Sequence, residues 1–287
     1  MVEGQIAIEE YTTGNTEHTW DLKKIFSAHK ILTKYSYKKG QVTKGYANRT
    51  LYVNLSSSEI AEKPVTDEMK KLFTGGRGFG LKLIWDSCKP TTRWDSPENE
   101  LLITTGPLCG TTQYAGSGKS LCLSVSPSTN ILCDCNVGGF FGPYLKFAGF
   151  DALEIQGKAD QDVVVVINGE KGTVSIETAP LEETDTHLLS EQLTRMYATE
   201  DTDKSRQKIS VVSSGRAAEK SYWGCLNFSF YDIRRKVPRI KQAGRGGLGT
   251  VLRDKKIKAI VVKVERFDGV SNHPADPVAL AKVGTKL

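Results

Sequence analysis

Two glycine-rich segments carry cations at spacings that could bind phosphate. Residues 115–120 read AGSGKS, and residues 244–249 read GRGGLG. Glycine lets the backbone approach a ligand closely, and loop amides can hold an anion. Lys119 and Arg245 add positive charge to the two loops. The pattern predicts a ligand with several phosphates, with tight turns of a strand-rich core as the alternative.

Neither segment has the context of a nucleotide-binding motif. The phosphate-loop pattern needs a glycine where Gln113 stands, and it needs a helix after Ser120. The residues after Ser120 instead alternate as a strand does. Residues 244–249 satisfy G-x-G-x-x-G, but that motif follows a buried strand, and residues 234–242 are basic and contain Pro238. We therefore expect neither an NTPase nor a dinucleotide-binding fold.

The cysteines and histidines show no zinc-type spacing. The sequence has six cysteines, no C-x-x-C pair, and four scattered histidines. Cys133 and Cys135 are the one close pair, and on a strand both thiols would point to the same face. Because free cysteines are usually buried, we favour a structural role for this pair, with metal binding as the alternative.

The formal charge of +6 is distributed unevenly. Residues 1–22 contain five acids and no Lys or Arg, whereas residues 23–44 contain seven lysines and no acid. A second basic stretch covers residues 234–258. Clustered positive charge attracts phosphates, nucleic acid or an acidic partner. For residues 23–44 we favour a solvated face or a partner contact, and we expect no nucleic-acid partner.

Composition indicates an ordinary globular protein outside the membrane. The chain is 39% hydrophobic and 25% charged, and it has no run of 18 apolar residues. Residues 1–10 lack the basic-then-apolar pattern of a signal peptide, so we expect a cytoplasmic location.

The strands and helices predicted around these loops indicate an α+β fold with few short helices. An N-terminal arm is expected over residues 1–45. Strands are predicted at residues 51–55, 59–65, 101–105, 120–126, 131–136, 152–155, 163–167, 174–176, 209–212 and 257–262, with a hairpin turn at Asn168-Gly169. Helices are predicted at residues 23–34, 67–73, 81–88, 143–150 and 187–197, and from 275 onward. The chain stops within that last helix, so we expect a larger whole, from either a split gene or a truncated product.

Several blocks together resemble one family. In order they are SPEN at 96–99, TGPLCGT at 105–111, Ser126-Pro127, NVGGFFGPYLKFAGFDA at 136–152, AGRGGLG at 243–249 and KAIVV at 258–262. This arrangement resembles the amino-terminal, pterin-binding domain of the tungsten-containing aldehyde:ferredoxin oxidoreductase family. The resemblance covers residues 46–270, and it leaves residues 271–287 as the start of a following helix or a tail.

The resemblance implies two β-sheets that form a base for a bis-pterin cofactor. In the family, two pterin dithiolenes hold tungsten (tungstopterin), and magnesium, which prefers oxygen ligands, bridges the pterin phosphates. Carried over, Asn136 and Gln242 supply backbone carbonyls to magnesium. The remaining implied cofactor-binding residues are Lys119, Gly138, Gly139, Lys241, Gly244, Arg245, Gly246 and Gly247. No catalytic residue is implied within this chain.

Two departures from the family bear on this site. Lys119 stands where the family usually has an arginine, so the charge is kept but the planar fork is lost. The basic stretch at residues 228–240 is longer than usual, and we expect it to reach a partner or to alter the pterin edge.

The resemblance also implies what must be supplied from elsewhere. The six cysteines do not match a four-cysteine cluster pattern, so the 4Fe–4S cluster is expected on a second chain or on missing carboxy-terminal domains. The implied reaction oxidises aldehydes to carboxylic acids, with electrons leaving through the cluster to ferredoxin or to electron-transfer subunits. The alternatives are a related tungsten enzyme that reduces an aromatic acyl-thioester, and a non-catalytic scaffold subunit.

Overall fold

The computed structural model describes residues 10–13, 16–179, 185–265 and 271–286. Its strands are β1 Glu10–Thr13, β2 Thr16–Thr19, β3 Ile31–Ser36, β4 Arg49–Asn54, β5 Glu59–Pro64, β6 Leu101–Thr104, β7 Ser120–Val125, β8 Leu132–Val137, β9 Ala152–Gln156, β10 Val163–Asn168, β11 Thr173–Thr178, β12 Ile209–Ser213, β13 Leu226–Asp232, β14 Val237–Ala243 and β15 Ile257–Lys263. Its α-helices are α1 Leu22–Ala28, α2 Asp67–Phe73, α3 Arg77–Ser87, α4 Phe141–Ala148, α5 Thr186–Tyr197, α6 Asp203–Arg206, α7 Leu248–Asp254 and α8 Pro277–Gly284, and one 3₁₀ turn covers Arg216–Glu219.

Two mixed sheets form the body of the fold. The six-stranded sheet has the order β5-β4-β9-β6-β7-β8, and the seven-stranded sheet has the order β14-β13-β12-β15-β10-β11-β3. Within the sheets only β4–β9 and β10–β15 pair in parallel. The small hairpin β1–β2 stands apart from both sheets. Strands predominate over short helices, which confirms the α+β prediction.

The main core lies between these sheets and around α4. Central strands such as β6 and β12 are buried along their whole length, β10 is buried except at Asn168, and every residue of α4 is buried. Phe141 of α4 meets Phe228 of β13 edge to face, with ring centroids 5.5 Å apart. Each fully buried side chain of this size stabilises the fold by about 1.5–3 kcal/mol. This packing fixes the spacing of the two sheets.

Two predicted helices have different limits in the structure. The helix expected over residues 23–34 ends at Ala28, because Ile31, Thr33 and Tyr35 continue as β3, which pairs with β11. β-Branched and aromatic residues at alternating positions favour a strand. The helix expected from residue 81 begins at Arg77, so part of the glycine cluster lies inside α3. A Cβ on Gly80 would come within 2.3 Å of Leu123, so that glycine permits close packing on β7.

The largest omission of the sequence prediction is the β13–β14 hairpin. Buried Leu226, Phe228 and Tyr231 anchor β13, and the basic stretch follows as β14 at the edge of the seven-stranded sheet. Elsewhere the predicted strands and the turn at Asn168-Gly169 are present. Among the helices described, the longest has 12 residues, and none is long and apolar enough to cross a membrane. Residues 1–9 of the predicted arm and the predicted domain end at residue 270 lie outside the described residues.

Candidate functional site

The candidate residues meet where the edges of the two sheets lie side by side. Strand β8 ends the six-stranded sheet and β14 ends the seven-stranded sheet. The Arg245 backbone N–H donates to Cys135 Sγ across this junction at 3.3 Å. Lys241 packs on Gly139, since a Cβ on that glycine would lie 4.0 Å from Lys241 Cγ. Residues 133–139 and 241–247, which are far apart in sequence, therefore form one surface.

A third segment joins this surface from the loop before β7. A Cβ on Gly118 would lie 2.9 Å from the carbonyl oxygen of Gly139, so the two backbones are close. Lys119 and Asn136 both line a cleft of about 430 Å³, whose other wall is the loop at residues 106–109 and the start of α3. The structure thus brings the predicted residues of all three segments into one region.

Asn136 and Gln242 occupy matching positions on the two edge strands. Asn136 pairs with Leu121 on its inner side, and Gln242 pairs with Asn227. Because both strands are edges, a partner strand hydrogen-bonds to them from one side only. Backbone carbonyls at a sheet edge can reach a cation that is held in front of the edge.

Three glycines of this region have no steric reason to be glycine. Gly106 and Gly138 would carry a Cβ that meets nothing within 4 Å, and a Cβ on Gly244 would only touch Cys225 Sγ at 3.8 Å. None of the three has a positive φ. All three lie in loop segments that follow a strand. Open space in front of such a position is what a closely approaching ligand requires.

Other glycines of the site serve the fold itself. Gly246 and Gly247 have φ angles of 76° and 67°, in the left-handed region. A Cβ on Gly246 would lie 2.4 Å from Cys133 Sγ, and a Cβ on Gly247 would lie 2.1 Å from the Tyr222 carbonyl oxygen. These two positions shape the loop that enters α7.

The cysteine pair of β8 supports that loop. Cys133 lies beneath Gly246 and Cys135 accepts the Arg245 amide, so both thiols have structural contacts, as we favoured. In the described part of the chain, no group of three or more His, Cys, Asp or Glu side chains is arranged to hold a metal. Burial raises the pKa of the Cys109 thiol to about 12, so this neighbouring thiol is not a nucleophile near neutral pH.

The structure also accounts for the two rejected nucleotide motifs. Ser120 begins strand β7, not a helix, as the sequence predicts. A strand does precede residues 244–249, since β14 ends at Ala243 and α7 follows, but only Ala243 of that strand is buried, so the buried strand that the dinucleotide motif requires is not there. In addition, β14 is the edge of an antiparallel hairpin and is separated from β15 by two strands, so no βαβ unit forms.

Sequence reasoning missed Arg77, which lies on the rim of the cleft. It is the first residue of α3, and its Nε and Nη2 donate to Asp134 Oδ2 at 2.9 and 2.7 Å. Its side chain is 58% exposed, so the guanidinium also faces solvent at the cleft. The available signal was an arginine directly after Gly75-Gly76 and before an apolar helix.

Below the cleft, a buried ion pair fixes its floor. Lys146 Nζ donates to the Gly106 carbonyl at 2.8 Å and to Asp151 Oδ1 at 3.1 Å, and both side chains are fully buried. Asp151 also accepts from the amides of Ala47 and Asn48 at 3.0 and 2.8 Å. The pair therefore ties the cleft loop to the segment that enters β4.

Comparison with known proteins gives a consistent family. Residues 50–264 match the family described as aldehyde ferredoxin oxidoreductase, N-terminal domain. The tungsten-containing aldehyde ferredoxin oxidoreductases of Pyrococcus horikoshii and Pyrococcus furiosus are 37% and 34% identical to the chain over 219 residues. Each alignment covers 76% of this chain and 33% of the relative. The chain thus spans about a third of the length of the curated relatives it matches.

A solved structure shares this fold. The active-site complex BamBC of benzoyl-coenzyme A reductase, in complex with 1,5-dienoyl-CoA, superposes with a TM-score of 0.65 at 27% identity. The match covers 77% of this chain and 31% of that chain. The family match spans most of the fold and contains all three segments of the site. This chain therefore belongs to the aldehyde ferredoxin oxidoreductase family, by its N-terminal domain.

Proposed function

We propose that this chain forms the amino-terminal side of the cofactor site of a tungsten oxidoreductase. The bound group would be a tungsten bis-pterin with a magnesium ion between its phosphates. The observation that supports this most is the convergence of residues 133–139, residues 241–247 and the loop before β7, with open space at Gly138 and Gly244 and at Gly106 on the opposite wall of the cleft. The name of the Pyrococcus relatives, tungsten-containing aldehyde ferredoxin oxidoreductase, agrees with such a group.

The residues present fit that group in charge and in shape. Lys119, Lys241 and Arg245 would offset the negative charge of the phosphates. Gly138, Gly139 and Gly244 would let the backbone approach the phosphates. Gly246 and Gly247, whose left-handed conformation shapes the loop before α7, would present that loop to them. The bound group would supply the redox chemistry, and this chain would hold and orient it.

Magnesium would be held at the junction of the two sheets. The backbone carbonyls of Asn136 and Gln242, one on each edge strand, are the proposed protein ligands. Magnesium usually takes few protein ligands, together with phosphate oxygens and water, so two carbonyls suffice. The differing side chain at Gln242 is compatible with this role because the ligand is a backbone atom.

The proposed reaction is oxidation of an aldehyde to a carboxylic acid in the cytoplasm. Two electrons would leave through a 4Fe–4S cluster, ligated outside this chain, to ferredoxin or to electron-transfer subunits. The name of the Pyrococcus relatives supports this reaction, and the shared third of their length supports a need for further domains or a second chain.

A second candidate reaction is the reduction of an aromatic acyl-thioester. It is favoured by the similarity to the BamBC complex, which was solved with a dienoyl-CoA. The chain is also 29% identical over 229 residues to a protein of Pyrococcus furiosus named aliphatic sulfonate oxidoreductase, WOR-like subunit. Substrate contacts are expected mostly outside this chain.

Metal analysis of the assembly from native cells tests the proposal. The chain is purified with a tag, its metals are measured, and its co-purifying proteins are identified by mass spectrometry. About one tungsten and four irons per assembly, with a partner that carries cluster cysteines, is the expected result. Turnover of an aldehyde against an aromatic acyl-thioester then separates the two reactions. A chain without tungsten, molybdenum or iron would refute the cofactor role and favour a scaffold subunit.

A further inference from the structure

The turn and outer strand of the β13–β14 hairpin carry a concentrated positive charge. We name residues 232–241 the basic hairpin. Its cations Arg234, Arg235, Lys236, Arg239 and Lys241 are all exposed. Asp232 is the one acid of this segment, and it pairs with Arg235 at 2.9 Å and with Arg239 at 3.6 Å. Five cations and one acid leave a formal charge of +4 on ten residues.

The residues of edge strand β14 disfavour the addition of a further strand. Strand β14 is the outermost strand of its sheet, but Pro238 lacks an amide hydrogen, and two of the three exposed residues of the strand are the cations Arg239 and Lys241. Proline and charged side chains are the usual means by which an edge strand avoids pairing with another strand. A partner would therefore recognise the side-chain charge and not the backbone of the edge.

The basic hairpin continues directly into the candidate cofactor site. Lys241 packs on Gly139, and the chain runs from there into the loop at residues 244–247. A protein seated on the hairpin would lie against the same junction of β8 and β14. Such a partner would sit beside the proposed cofactor, from which the electrons of the proposed reaction would leave.

The exposed groups of the basic hairpin suit a protein better than a single-stranded nucleic acid. Single-stranded nucleic acid sites stack bases on exposed aromatic rings. The rings of β13 are engaged inside the fold, since Tyr231 is buried and Phe230 meets Phe140 at 5.5 Å. Apart from its cations, the turn exposes one aliphatic side chain, Ile233, which is 43% exposed.

We propose that the basic hairpin is the docking surface for an acidic protein that exchanges electrons with the assembly. This inference rests on the proposed function. Attraction between opposite charges steers such encounters. This attraction weakens as salt is added, because the Debye length shrinks to about 3 Å at 1 M. Weak redox encounters typically bury less than about 1,200 Å², an area that a short hairpin and its surroundings can supply.

The test compares two charge-neutralising double variants in the assembly isolated from native cells. The double variant Arg234→Gln, Lys236→Gln removes two charges from the hairpin. It keeps Arg235 and Arg239, the two ion-pair partners of Asp232. The control, Lys34→Gln with Lys38→Gln, removes two exposed charges, one on β3 and one just after it, at the opposite edge of the same sheet. Binding of a purified two-cluster bacterial ferredoxin is measured by calorimetry at low and at high salt.

The hairpin variant should bind the ferredoxin roughly fivefold more weakly at low salt, and the control should bind as the wild type does. Wild-type affinity should fall with salt and should converge on that of the variant. Equal binding by wild type and hairpin variant would overturn the proposal, as would equal losses in variant and control. Tighter binding of a duplex DNA oligonucleotide with the same dependence on the hairpin would overturn it in favour of a nucleic-acid surface.

Tungsten measured on the same samples keeps the two proposals apart. Tungsten present with hairpin-independent binding would overturn the docking surface alone. Tungsten absent with hairpin-dependent binding would overturn the cofactor role while leaving an acidic-partner surface in place.

Discussion

Replacing Gly138 by alanine separates the needs of the fold from the needs of a ligand. The new Cβ would meet no atom within 4 Å, and the residue does not have a positive φ. An alanine that fits the native backbone reduces the entropy of the unfolded chain and stabilises by about 0.4–1 kcal/mol. The free energy of unfolding of the chain should therefore stay the same or rise slightly.

The matched variant is Gly246→Ala, which we expect to destabilise the fold. A left-handed φ of 76° costs about 1–3 kcal/mol for a residue with a side chain. The new Cβ would also lie 2.4 Å from Cys133 Sγ, and overpacking costs about 1–3 kcal/mol. This variant should therefore lose roughly 2–6 kcal/mol of unfolding free energy.

Two measurements distinguish a glycine that the fold requires from a glycine that a ligand requires. Urea unfolding of each purified chain gives the change in stability, and elemental analysis of the tagged assembly gives tungsten per chain. Gly138→Ala should keep its stability and lose tungsten, because its methyl group enters the space proposed for the cofactor. Normal tungsten content and turnover in Gly138→Ala would refute the reasoning about open glycine positions. A loss of stability above about 1 kcal/mol would show that the glycine serves the fold.

Three further predictions concern charged groups. Lys146→Met should lose about 3–5 kcal/mol of unfolding free energy, measured by urea unfolding, because Asp151 is left as a buried carboxylate without its cation. Lys82→Met, at an exposed ion pair with Asp86, should change stability by less than about 0.5 kcal/mol, and similar losses in the two variants would contradict the reasoning. Burial, and then the carboxylate of Glu154, raise the pKa of Glu100 from its ordinary 4.5 to about 7. The protonated carboxyl therefore stabilises the fold fully below pH 4.5, and this stabilisation is lost as the pH rises through 7. Glu100→Gln should therefore flatten the fall in stability between pH 5 and 8 by about 3 kcal/mol, and an unchanged profile would exclude this carboxyl as its source. Lys119→Ala should lower tungsten content or turnover of the assembly, whereas unchanged values would exclude the proposed cofactor contact.

The local elements could be predicted because their signals lie within a few residues. Apolar Leu51, Val53 and Leu55 alternate with polar or half-buried neighbours at the two-residue period of a strand, and the continuous apolar run of β10 indicates a strand that is buried on both faces. Thr66 caps α2 by accepting from the Met69 amide, a preference that is set by the first helical turn. Asn168-Gly169 likewise predicts its hairpin turn from two residues.

Residues 23–36 and 226–243 were harder to predict because tertiary pairing decides their state. Residues 31–36 could extend a helix or form a strand, and β11 offers the unpaired edge that selects the strand. Likewise, the basic composition of β14 argues against a strand, yet β13 supplies its hydrogen-bonding partner from a buried row of apolar residues. Local propensity is too weak, at about 1 kcal/mol, to override such pairing.

The sequence by itself determined the mixed strand-and-helix fold and the order of the motifs that identify the family. Only the tertiary structure decided that β8 and β14 lie side by side, that Arg77 reaches Asp134 across 57 residues, and that Gly138 faces open space while Gly246 rests on Cys133. The physical reason is that periodicity and capping are short-range, whereas the packing of two sheets sums many weak contacts between residues that are distant in the chain.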